Sequence, residues 1–108
     1  MKDDSAYLRH IFECAAAIQG YVVEGRAAFD QDRRTQKAIL RELQELSESL
    51  QHISQETKVK HPEIPWRDIA AFRNVLVHDY LGINLDRIWE TIHEDLPSLV
   101  EKIKVLDL

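Results

Sequence analysis

Three residue types that can do chemistry on a phosphate fall within eight positions of one another: Arg73, His78 and Tyr80, in the stretch Arg73-Asn74-Val75-Leu76-Val77-His78-Asp79-Tyr80. An imidazole titrates near neutrality and can take a proton from a hydroxyl. A guanidinium offers paired N–H donors to the charge that grows on phosphoryl oxygens as a bond to phosphorus forms. A phenol adds a hydroxyl that can itself be modified. The surrounding residues alternate in the ordinary way between core and solvent, so these polar groups have no evident packing purpose.

The periodicity around them predicts a helix from about residue 65 to 81, with Pro65 at its first positions and Gly82 as its stop. On such a helix Arg73 and Tyr80 lie about 20° apart around the axis, whereas Arg73 and His78 lie about 140° apart. One straight helix therefore does not easily bring the Arg and His tips together. Either the last turn loosens toward Gly82, or a second copy of the helix completes the site across a two-fold axis. The same residues also admit a plain structural role, with Arg73 paired to an acid such as Asp79 and His78 a cation at a helix C-terminus.

The pattern Arg73 to Tyr80 resembles the signature of HepT-type toxins of the HEPN superfamily, an Arg, a polar residue and then a His before a Tyr. The flanks agree: His61-Pro62-Glu63-Ile64-Pro65-Trp66 before it, and Leu81-Gly82, Ile88-Trp89-Glu90 and Glu94-Asp95-Leu96-Pro97 after it. The resemblance covers essentially the whole chain and is strongest between residues 61 and 97. It implies a metal-independent endoribonuclease, the toxin of a type VII toxin–antitoxin pair, acting as a homodimer on RNA. Arg73 and His78 are then catalytic and Asn74 fills the family's polar position. The implied partner is a minimal nucleotidyltransferase (MNT) antitoxin that transfers AMP to the motif tyrosine, here Tyr80. A rival reading keeps the fold but not the activity: a catalytically silent HEPN module that scaffolds a nucleotidyltransferase complex.

The net charge of −5 is what favours the rival, because phosphate contacts call for basic surface. The charge is uneven, however. Arg26, Arg33, Arg34, Lys37 and Arg41 cluster, while residues 84–108 carry six acids against three bases. Within that cluster Arg34, Lys37 and Arg41 continue into Glu45 and Glu48 at helical spacing. This is either a solvated stripe of short-range ion pairs or, in its basic half, a surface for RNA phosphates.

The elements that must position the motif read as helices throughout. Tyr7, Leu8, Ile11, Phe12, Ala15, Ile18 and Val22 define a first helix from Ser5 to about Glu24, followed by Gly25 and a connection anchored by Phe29. Ile39, Leu43, Leu46, Leu50 and Ile53 step by four and three along a second helix that starts near Asp32. Residues 58–64 read as a linker. Asn84 caps a fourth helix carrying Leu85, Ile88, Trp89, Ile92 and Leu96, and Pro97 opens a short fifth with Val100, Ile103 and Leu106.

The expectation is a single all-α domain over residues 1–108, a mostly up-and-down bundle of four to five helices. The longest apolar run, Cys14 to Ile18, is too short to span a membrane, and the start leads into no signal-peptide core. A cytoplasmic protein is expected. Cys14, the one cysteine, reads as a small buried hydrophobe. His10, His52, His61 and His93 stand apart without metal-ligand spacing, so no metal and no cofactor are expected. Trp66 and Trp89 read as bundle packing.

Overall fold

The computed structural model describes residues 4–66 and 84–106. The described residues form an all-α bundle and contain no strand. Its frame is an antiparallel helix pair, α1 (Asp4–Tyr21) and α3 (Arg33–His52). The pairing is visible in contacts that run in opposite directions along the two helices. Asp4 reaches Ser54, His10 lies 3.5 Å from Glu45, and Tyr21 donates to Glu42 at 3.2 Å.

The α3 seam read from the sequence is the floor of the core: Ile39, Leu43, Leu46, Leu50 and Ile53 are all buried. Leu8, Ile11, Cys14, Ala15 and Ile18 of α1 close over it. Each large aliphatic side chain buried there contributes about 1.5–3 kcal/mol of transfer free energy. Cys14 is 1% exposed, as a small core hydrophobe should be. Burial, with Glu42 and Glu45 nearby, pushes its thiol up to about 12.

Two connections turn out to be helical. The turn anchored by Phe29 is α2 (Arg26–Gln31), begun by Gly25 at φ 93° in a conformation that suits glycine. Gly25 thus opens α2 rather than ending α1, which has already stopped at Tyr21. The linker expected over 58–64 overlaps α4 (Gln55–Lys60), whose Ser54 cap accepts from the Thr57 N–H. A six-residue helix shows too few apolar repeats for periodicity to reveal it.

The C-terminal stretch is one continuous helical path. It comprises α5 (Leu85–Glu90), a π-helical turn (Thr91–Asp95), α6 (Leu96–Ile103) and a final 3-10 turn (Lys104–Leu106). The fourth and fifth helices expected from the sequence are therefore not separated by a loop. Pro97 explains the wide turn: it lacks the N–H that would bond the carbonyl four residues back and its ring crowds that carbonyl. The His93 side chain takes up part of the slack, its Nδ1–H donating to the Trp89 carbonyl at 2.9 Å. Ile88, Ile92, Leu96, Leu99, Ile103 and Leu106 face the core.

Candidate functional site

The stretch from residue 67 to 83 lies outside the described residues, and with it Arg73, Asn74, His78 and Tyr80 and most of the expected third helix. What the structure gives is the frame that holds the two ends of that stretch.

On the entry side, α4 runs into a turn built from His61-Pro62-Glu63-Ile64-Pro65. Ile64 is buried and anchors the turn to the core. The His61 carbonyl accepts twice, from the Ile64 N–H at 3.1 Å and from the Trp66 indole N–H at 3.0 Å. The His61 ring meets the Glu63 carboxylate, Nδ1 to Oε1, at 3.1 Å. Bonding to its own backbone N–H, and then to His61, holds the Glu63 carboxyl below the usual carboxylate range. The Lys58 ammonium lies 5.8 Å from the centre of the Trp66 ring. These four side chains were legible only in part. His61 looks isolated among histidines and Trp66 does pack against the core, but the His-Pro-Glu spacing on a proline-bounded turn was the available sign of a paired imidazole.

On the exit side, the Asn84 side chain accepts from the Arg87 N–H at 3.1 Å and starts α5. The start of α5 is held to α2 by Arg26. That guanidinium binds Asp30 at 2.7 Å, binds Asp86 as well, and stands 5.7 Å from the centre of the Trp89 ring. Hydrogen bonds to Asp30 and then Asp86 raise its already high pKa further. Arg26 was grouped with the basic cluster on sequence; its charge is spent on holding two helices together. Trp89 also touches Phe29 and His93 and is part of the same packing.

The remaining candidates lie on the first half of α3. Asp32 caps this helix, accepting from the Arg34 N–H at 3.0 Å and the Thr35 hydroxyl at 2.8 Å. That ordering leaves the side chains of Arg34, Lys37 and Arg41 exposed along α3. Arg41 pairs with Glu45 at 3.4 Å, the short-range ion pair expected of a solvated stripe. Arg34 and Lys37 have no ion-pair partner among the described residues. Among the described residues no group of three or more His, Cys, Asp or Glu side chains could hold a metal ion. No helix of the described residues is long and apolar enough to cross a membrane.

A family model described as "Ribonuclease HepT-like" matches residues 11–106. A protein of Thermococcus cleftensis named "Probable ribonuclease HepT" is 37% identical, over 93% of this chain and 92% of its own length. Two proteins each named "Putative RNase" are similar over most of the chain as well. The one from Caldanaerobacter subterraneus subsp. tengcongensis is 34% identical over 96% of this chain and 94% of its own length. The one from Methanocaldococcus jannaschii is 31% identical over 95% of this chain and 86% of its own length. No solved structure matches significantly.

Proposed function

This chain belongs to the HepT-like ribonuclease family, and from that premise we propose that it is an endoribonuclease whose reaction runs on Arg73 and His78. The observation that carries the reading is the intact Arg73, Asn74, His78 and Tyr80 pattern inside a chain that the family model matches from 11 to 106.

The chemistry follows from the groups themselves. The His78 imidazole takes the proton of a ribose 2′-hydroxyl, and the freed oxygen attacks the adjacent phosphorus. The bond from phosphorus to the 5′-oxygen breaks, leaving a 2′,3′-cyclic phosphate, and the 5′-oxygen takes up a proton from water. Arg73 meets the charge on the two non-bridging oxygens, where a fixed, paired donor is worth most in the transition state. Asn74 orients Arg73 or the phosphate. No step calls for a metal. The exposed Arg34, Lys37 and Arg41 supply local positive charge to a strand of RNA on a protein that is acidic as a whole.

The site is completed in a homodimer, and the chain is the toxin of a pair. Its partner is a nucleotidyltransferase of the MNT type that places AMP on Tyr80. An AMP ester there adds bulk and negative charge where an RNA phosphate must sit, which silences the site without unfolding the protein. The net charge of −5 supports one competing reading, a silent module that only scaffolds such a transferase.

Purified protein separates the two. Arg73→Ala and His78→Ala are each expected to abolish RNA cleavage while melting close to wild type. A variant that cleaves at the wild-type rate removes that residue from the mechanism, and a wild-type protein that never cleaves RNA leaves the scaffold reading.

A further inference from the structure

Resting on the RNA reading above, we propose that Trp66, His61 and Lys58 form a nucleotide-binding subsite that receives single-stranded RNA next to the segment carrying Arg73 and His78. Trp66 is half-buried, with one part of its indole packed on the core and its N–H already satisfied by the His61 carbonyl. The ring is thereby fixed in place, and its remaining surface is the sequence-tolerant platform on which a base stacks.

The groups around that ring suit the rest of a nucleotide. Lys58 stands over it and makes no ion pair among the described residues, with the Asp4 carboxylate the acid that feels its charge, so its ammonium can turn to a phosphate. Glu63 engages His61 at Nδ1, which leaves Nε2 outside that contact. Neutral, Nε2 accepts from a ribose hydroxyl; protonated, it donates to a phosphate oxygen. Between residues 58 and 66 there are two lysines and one acid, a locally basic turn in a chain of net charge −5.

The second tryptophan shows what the first one lacks. Trp89 is flanked by Phe29, His93 and an Arg26 already bound to two carboxylates. The exposed positions of its helix include Asp86 and Glu90, with Glu94 one turn on, which repel a phosphate. Of the two rings only Trp66 stands beside a cation that makes no ion pair among the described residues. In sequence it immediately precedes residues 67–83, which hold the reactive pattern.

The test uses a short 2′-O-methyl oligoribonucleotide, which lacks the attacking hydroxyl and is not cut. In Trp89→Phe protein Trp66 is the one remaining fluorophore of its kind, and saturable quenching of its emission is expected on titration. In the otherwise native protein, anisotropy of the labelled probe is expected to show Kd rising roughly tenfold in Trp66→Leu. Lys58→Ala is expected to lower the dependence of log K on log salt by about 0.7, the loss of one phosphate contact. His61→Gln is expected to weaken binding several-fold. If the wild-type protein binds and cleaves RNA while Trp66 emission stays constant and all three variants keep the wild-type Kd, the subsite is overturned and the nuclease reading stands. Quenching and weakened variants in a protein that cuts no RNA uphold the subsite and overturn the nuclease reading. A wild-type protein that binds neither probe nor cleavable RNA overturns both.

Discussion

At the scale of single residues, Asp4 has a structural task that the proposed chemistry of His78 does not share. It is 8% exposed and accepts from the Ser54 N–H at 2.9 Å, the Ser54 hydroxyl at 2.6 Å and the Thr57 hydroxyl, fastening the start of α1 to the corner between α3 and α4. Burial works to raise its pKa, but the bonds from Ser54 and Thr57, with Lys58 nearby, outweigh that and hold it below the usual carboxylate range. A carboxylate depressed in the folded state stabilises above its unfolded pKa, and the contribution is lost as pH falls through the folded value. Asp4→Ala should therefore cost about 1–3 kcal/mol near pH 7, because it strands the Ser54 and Thr57 donors, and less as pH drops below 4. Denaturant melts at both pH values measure it; an equal loss at both would mean the carboxylate's charge is irrelevant. Tyr80 carries the other residue-scale prediction. Tyr80→Phe removes only the hydroxyl, so cleavage is expected to continue while the partner transferase and ATP no longer silence it. Full silencing of that variant, with no AMP adduct on Tyr80 in wild type by peptide mass spectrometry, would discard this control.

At the scale of elements, α3 has two faces with separate duties. Its apolar face, Ile39, Leu43, Leu46 and Leu50, is buried against α1, and its basic face, Arg34 and Lys37, is exposed. Reversing charge at Arg34 and Lys37 should weaken RNA binding without lowering the melting temperature, since neither side chain touches the core. Unchanged binding at low salt would return the stripe to solvation alone. The apolar face was readable because twenty residues give a strong periodic signal. Asp32 and Asn84 were readable as the places where helices start, since their side chains do what their types favour. Three features escaped. The short α4 offers too few repeats; the tie from Arg26 to Asp86 joins residues sixty positions apart; and Pro97 marked a break where the chain widens into a π turn and carries on. Of these only the tie from Arg26 to Asp86 depends on packing between elements; the pairing of His61 with Glu63 in the candidate subsite is local, two positions apart on one turn.

At the scale of the whole molecule, an acidic protein must gather positive charge to hold RNA, and on the helix expected from the sequence around Arg73 and His78 the two would stand about 140° apart. The proposed two-fold dimer would answer both needs, since it would bring two motif segments and two basic stripes together. Sedimentation at micromolar concentration is expected to show a dimer; monomer alone under those conditions would remove the shared site. The central claim, RNA cleavage by Arg73 and His78 through the ribose 2′-hydroxyl, leaves a chemical trace in its products. End analysis of a labelled RNA cut by the unmodified protein in excess EDTA should find 2′,3′-cyclic phosphate on one fragment and 5′-hydroxyl on the other. Fragments bearing 5′-phosphate, formed when Mg²⁺ is supplied and absent in EDTA, would contradict it.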